Sequence, residues 1–269
     1  MDGKILVLTE NKMKTAIVTG ADKKFIPGVI AFYNSLKING NIDCDLILFA
    51  HGVEEDFTEI PKEFKIIYNP NPIKSPTSKA WPKELPAMYS RIMIPRLLKE
   101  YDRVVWFDAD IIILQDLNPL LNIDMEDKPL AATFPGSDFQ APKLNFMSHQ
   151  FEDPSPYPEY QSIRSLQAGV LLFDIKKWHE LDLDKKVDEA LLSGIKFKFV
   201  VQGLLGYVVK GDFKRLDYKW NCYVSWSHQY KDIVVLHYVG GAGRNPWEDN
   251  MPRKDIWKYY YDKKYDSNL

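Results

Sequence analysis

Cysteine is nearly missing: Cys44 and Cys222 are the only two in 269 residues. That excludes a disulfide-stapled secreted scaffold and leaves stability to an apolar core. Asn-x-Ser/Thr triplets are absent, and no run approaches the roughly 18 apolar residues of a membrane helix. The opening Met-Asp-Gly-Lys also lacks the apolar stretch of a secretory leader. The expectation is a cytoplasmic protein with no membrane span. An excess of either charge is lacking too, since 35 Lys and Arg face 37 Asp and Glu for a net charge of −2. No overall field invites nucleic acid or an anionic membrane, so an anionic ligand has to be met locally.

What is present is an ordinary globular composition, 45% hydrophobic and 27% charged, enough to build one sizeable core. Thr15 to Thr19 reads as a buried strand, and Ile26, Val29, Ile30, Tyr33 and Leu36 follow at helical spacing up to Gly40. Asp45 to Ala50 and Phe64 to Tyr68 are further strands, giving the alternation of a parallel α/β sheet. The proline-rich stretch from Asn69 to Pro86 predicts a surface loop, and a helix is expected from Met88 to Tyr101 despite Pro95. Strands are expected at 104–107, 169–173 and 233–236, and a short amphipathic helix at 185–193. The Pro-, Ser- and Phe-rich run from Pro135 to Pro158 is long enough to suggest a lid or acceptor loop. The domain reading is a single unit over 15–250. Before it, residues 1–14 form a leader or an added edge strand at Ile5 to Leu8; after it, 251–269 form an aromatic and basic tail.

Two acids interrupt the apolar run from Val104 to Leu114, giving Asp108-Ala109-Asp110. Acids two positions apart on extended backbone project to the same side and can share one hard cation. At the carboxyl end of a buried strand in an α/β sheet, where ligands bind, a metal role is favoured over a solvated acidic turn. His237 ends the last expected strand and precedes the glycine-rich Gly240-Gly-Ala-Gly-Arg244, whose amides and guanidinium suit a phosphate. Pro246 stands where a dinucleotide fingerprint needs its third glycine, and no βαβ unit follows, so a nicotinamide enzyme is disfavoured.

These residues resemble the retaining family-8 glycosyltransferases, a group that includes glycogenin, galactinol synthases and bacterial galactosyltransferases. The resemblance runs from about Thr15 to Trp247. Tyr89-Ser-Arg91, then Tyr101 through Asp110 and Leu117 to Leu120, looks like the family's central block with its Asp-x-Asp. Leu166-Gln167-Ala168-Gly169-Val resembles its Asn-Ser/Ala-Gly-Val strand, Leu216 to Asn221 its Leu-Pro-x-x-Tyr-Asn segment, and His237 to Trp247 its closing His-Gly-Pro-Trp motif.

The resemblance implies an α/β fold: a single nucleotide-diphospho-sugar transferase domain of GT-A, Rossmann-like type, with a mostly parallel central sheet. It implies a UDP-sugar donor and a cation, Mn2+ with Mg2+ as the alternative, held by Asp108, Asp110 and His237. Donor contacts fall on Thr19, Gly20, Ala21, Asp22, Phe25, Arg91, Asp108, Ala109, Gln167, Ala168, Gly169, Gly240 and Arg244, with Phe25 stacking on uracil. Gln202, Arg91 and Asp110 take the catalytic positions. The acceptor is a carbohydrate or protein hydroxyl, and Tyr223 and Tyr230 lie where a self-glycosylating family member carries its acceptor. A homodimer is a further expectation. Three departures stand out: Val201 replaces an acid before Gln202, Gln167 replaces Asn, and the interval from His237 to Pro246 is longer than usual. They leave open a catalytically weak or silent UDP-sugar-binding protein, or a UDP-sugar hydrolase, as alternatives to the transferase.

Overall fold

Strands such as Ala16–Val18 and Val104–Phe107 carry no polar face, so they need cover on both sides. A computed structural model, which describes residues 13–70, 87–135, 142–239 and 245–263, supplies that cover. Seven strands form the main sheet: β1 (Thr15–Asp22), β2 (Asp45–His51), β3 (Phe64–Tyr68), β4 (Arg103–Phe107), β6 (Leu130–Ala132), β7 (Val170–Asp174) and β8 (Lys214–Arg215). Their order is β3-β2-β1-β4-β7-β6-β8, and every strand but β7 runs in one direction. The expected α/β class and mostly parallel sheet are therefore observed. A second sheet joins β5 (Ile111–Ile113), β10 (Val235–His237) and β9 (Cys222–Tyr223), with β10 antiparallel to β5 and parallel to β9.

Side chains alternate between the two faces of the main sheet as the pleat requires. Ala16, Val18, Trp106, Leu171 and Phe173 meet one layer with Trp178 of α4 (Ile175–Glu180), Val187 of α5 (Leu183–Leu192) and Leu204 of α6 (Val200–Val209). Ile17, Val105, Phe107 and Leu172 meet the other, where α1 (Ile26–Asn39) contributes Val29, Phe32 and Leu36 and α3 (Asn118–Leu121) contributes Leu120. Each fully buried Leu or Phe in these layers contributes about 1.5–3 kcal/mol. A third cluster lies under the small sheet, where Ile112, Cys222, Leu236 and Tyr238 meet Trp257 and Tyr260 of α7 (Lys254–Tyr261). Helix α7 is also tied to α1, because the Asn34 side-chain amide donates to the Tyr260 carbonyl at 2.9 Å.

The chain leaves β1 toward β2 and β3 on one side and returns to β4 on the other. The carboxyl ends of β1 and β4 thus flank the switch point where α/β sheets take up ligands. Asp22 ends β1 there, and its carboxylate accepts from the Lys24 amide at 2.9 Å to open a 3-10 turn, Lys23–Phe25, ahead of α1.

The helix expected over Met88 to Tyr101 is instead a 3-10 turn at Ala87–Met93 followed by a single α turn, α2 (Ile94–Leu97). Pro95 has no N–H to give to Arg91 and its ring crowds the preceding turn, so it is tolerated only at the start of a helix. Residues 136–141 of the suggested lid lie outside the described residues, as does the edge strand suggested at Ile5 to Leu8. The rest of that stretch is anchored: Phe151 is fully buried, stacks on Tyr157 at 4.7 Å and bridges to Phe197. No described helix is long and apolar enough to cross a membrane.

Candidate active site

Asp108, Ala109 and Asp110 turn the chain from one sheet into the other. The Asp108 amide extends the main sheet by donating to the Gly169 carbonyl at 2.9 Å, and the Asp110 carbonyl accepts from the Tyr238 amide at 2.9 Å in the small sheet. Ala109 is buried against α1, where Gly28 lets its carbonyl approach; a Cβ on Gly28 would overlap that oxygen. The half-buried acids flanking it then face His237, which is 2% exposed at the end of β10. One ligand atom from each of Asp108, Asp110 and His237 lies within 4.8 Å of the others.

The imidazole is aimed by a chain of buried amides. Nδ1 of His237 is 2.7 Å from Oδ1 of Asn221. Asn221 has its orientation set in turn, since its Nδ2 donates to Gln167 Oε1 and to Thr133 Oγ1. Gln167 Oε1 also accepts from the Gly169 amide at 2.6 Å, which identifies it as the oxygen. Asn221 therefore presents an acceptor, Nδ1 carries the proton, and Nε2 faces Asp110 Oδ1 at 3.1 Å and Asp108 Oδ2 at 3.8 Å. Gly169 has no side chain in this packing: a Cβ would overlap His237 Cε1 and come within 2.8 Å of Nδ1.

Asp108 is divided between two duties. Its Oδ1 accepts from Trp106 Nε1 at 2.7 Å and pairs with Arg91 at 3.0 Å, leaving Oδ2 toward His237. Arg91 is itself buried, donates to the Ala168 carbonyl and lies 5.1 Å over the Trp106 ring. Burial and the neighbouring Asp110 push the Asp108 carboxyl above its usual value against the pull of Arg91. For His237, burial favours the neutral ring, but Asp110 and Asp108 outweigh it and hold the imidazole above its usual value. Two carboxylates and an imidazole lone pair crowded in this way fit a divalent cation, which would take the place of the histidine proton.

The other expected donor residues are less tightly gathered. Thr19 and Ala21 are buried in β1, the Thr19 hydroxyl has no hydrogen-bond partner among the described residues, and Gly20 leaves room for the Trp106 ring. Phe25 is half-buried with its ring edge-on to Trp247 at 5.5 Å. Gly240 and Arg244 lie outside the described residues. Gln202 is half-buried on α6 and donates to Gln150 Oε1 at 3.0 Å. Val201, where the resemblance expects an acid, is 6% exposed within the apolar core. Sequence reasoning missed Asn221, Thr133 and Trp106 as site residues. Asn221 lies in the segment recognised from Leu216 onward, so that resemblance was the available signal for it.

A Rossmann-like sheet with an Asp-x-Asp turn and a histidine converging at its switch point defines a nucleotide-sugar transferase fold. Residues 16–251 match the pattern of glycosyl transferase family 8, and the chain belongs to that family. Its enzyme class is hexosyltransferase. A protein of Arabidopsis thaliana named probable galacturonosyltransferase-like 4 is 24% identical over 84% of this chain and 71% of its own length. The lipopolysaccharide 1,2-glucosyltransferase of Escherichia coli is 22% identical over 88% of this chain and 80% of its own. Among solved structures, the bifunctional glycosyltransferase WbbM matches with a TM-score of 0.72 and 18% identity over 93% of this chain, which spans 50% of that protein. The galactosyltransferase LgtC, solved with donor and acceptor sugar analogs, matches with a TM-score of 0.67 and 17% identity over 91% of this chain and 95% of its own. These likenesses give the fold as GT-A.

Proposed function

We propose that the protein transfers a hexose from a UDP-sugar to the hydroxyl of a glycan or protein acceptor, with retention of configuration and with Mn2+ as its cation. The observation that carries this is the cluster of Asp108, Asp110 and His237 at the switch point. Oxygen and imidazole donors together suit Mn2+ better than Mg2+, the alternative ion. Bound there, the cation would neutralise the diphosphate as it departs.

The chain's own groups do the rest. Asp108 Oδ2, Asp110 and His237 Nε2 hold the cation, while Arg91 fixes Asp108 and adds positive potential beside it. Phe25 offers its ring face to uracil, and the β1 end from Thr19 to Asp22 meets the nucleoside. Asn221, oriented by Gln167, keeps His237 aimed, and Gly169 leaves the imidazole its room. In the transfer, the bond from the anomeric carbon to the phosphate oxygen breaks. The acceptor oxygen bonds that carbon from the same face, and its proton passes to the departing phosphate, with Gln202 beside the anomeric centre. The likeness to a lipopolysaccharide glucosyltransferase and to a galactosyltransferase solved with donor and acceptor sugar analogs supports sugars on both sides of the reaction.

Calorimetry of UDP with Mn2+ present tests the reading. Wild type is expected to bind and Asp108→Asn to lose metal-dependent binding. Equal UDP affinity in the two proteins refutes the site. A second reading, donor hydrolysis or binding without transfer, is favoured by the apolar, buried Val201 at the family's acid position. Product analysis of UDP-glucose, UDP-galactose and UDP-N-acetylglucosamine with Mn2+, with and without acceptors, separates the two.

A further inference from the structure

Helix α6 is keyed onto the segment 147–152. Phe151 pairs with Phe197 in an isolated antiparallel bridge, the Gln150 carbonyl accepts from the Lys198 amide at 2.8 Å, and the Glu152 amide donates to the Lys196 carbonyl at 3.1 Å. The chain therefore enters α6 from a fixed start. Gln202 and Gly206, one turn apart on the helix, both face this segment: a Cβ on Gly206 would overlap the Met147 sulfur, and Gln202 Nε2 donates to Gln150 Oε1 at 3.0 Å. Gln150 is fully buried, and its own Nε2 is buried with no hydrogen-bond partner among the described residues. An orphaned amide of that kind is costly, and a methionine would fill the same space without it. What the amide supplies in return is its bond to Gln202.

We infer that Gln150 is a positioning residue, which holds the Gln202 amide so that its Oε1, and not its N–H, is turned to the anomeric centre. This rests on the transferase reading above, which puts Gln202 there. The two ends of an amide act in opposite ways on a carbon that gains positive charge as its bond to the diphosphate breaks: the oxygen stabilises that charge and the N–H opposes it. A half-exposed glutamine on a helix samples several rotamers and both settings of its amide. The bond to Gln150 commits Nε2 to the core and leaves Oε1 for the site. The first turn of α6 carries no acid, so the Gln202 oxygen is the negative group that this turn's side chains offer.

The test compares wild type with Gln150→Met, Gln202→Met and the double variant. In proton–nitrogen NMR the Gln202 side-chain amide, assigned by its loss in Gln202→Met, is expected to exchange slowly with water in wild type and as fast as a free amide in Gln150→Met. Turnover is read as UDP released, with Mn2+, from UDP-glucose, UDP-galactose and UDP-N-acetylglucosamine. Gln150→Met is expected to keep its melting midpoint and UDP affinity and to lose about 10–100-fold in kcat with KM unchanged. Added to Gln202→Met it should cost nothing more, because a residue acting through Gln202 then has nothing to position. Equal amide exchange in wild type and Gln150→Met, an unchanged kcat, or the same loss in the Gln202→Met background overturns the positioning role; the last is what a purely structural residue gives. Failure of wild type to release UDP from any of the three donors overturns the transferase reading instead, and the amide exchange then decides by itself whether Gln150 holds Gln202.

Discussion

Replacing Asn221 by Ala leaves every proposed metal ligand in place and removes what aims one of them. Asn221 is fully buried and His237 is 2% exposed, so the Nδ1–H that donates at 2.7 Å would have no water to turn to. An unsatisfied buried donor costs about 1–3 kcal/mol. In a protein of this size that lowers the melting midpoint by about 2–5 °C. The imidazole is also freed to rotate, or to move its proton to Nε2, where the proton blocks the cation. Loss of such a supporting hydrogen bond typically weakens metal affinity about 10–100-fold. Thr133→Val is the control, because it removes one acceptor of Asn221 Nδ2 and leaves Oδ1 and the Gln167 contact in place. Its expected loss is about threefold or less. Free Mn2+ can be read by electron paramagnetic resonance during titration, with calorimetric melting on the same samples. Asn221→Ala binding Mn2+ as tightly as Thr133→Val would refute the argument that Asn221 holds the imidazole.

Gly169→Ala is expected to cost about 1–3 kcal/mol through overpacking and to reduce Mn2+ affinity, because the new Cβ meets His237; a thermal melt and Mn2+ titration equal to wild type would contradict that packing. The cation has to displace the His237 proton, and Asp110 and Asp108 hold that proton above the usual histidine range despite burial. Mn2+ affinity should therefore climb about tenfold per pH unit below that raised pKa and level off above it; a flat profile between pH 6 and 9 would remove His237 from the ligand set. Val201→Asp, which the resemblance alone marks as restorative, is expected to destabilise because Val201 lies in the core. A carboxyl whose folded pKa is raised by about 2–3 units costs roughly 3–4 kcal/mol at pH 7. The loss is recovered as pH falls below its unfolded value near 4, and denaturant unfolding at pH 7 and pH 4 reads the difference.

The strand and helix order through Tyr68, the Asp108-Ala-Asp110 turn and the closing His237 were all legible in the sequence. Each is a local pattern: an apolar run with its breaks, or a motif within a dozen residues. The family resemblance tied those pieces to one chemistry. The helix expected over 88–101 failed because one residue, Pro95, outweighs the periodicity around it. Tertiary structure alone decided which partners meet. Asn221 reaches His237 because β9 and β10 run side by side, and Thr133, just after β6, and Gln167, just before β7, reach Asn221 from the ends of neighbouring strands, contacts that no spacing along the chain encodes. Val201 and Gln202 are neighbours in sequence, yet the turn of α6 buries one in the core and leaves the other half-exposed. The sequence determined the proposed ligands for a cation by their chemical type; the pairing of distant strands in a close-packed interior decided how the histidine is aimed.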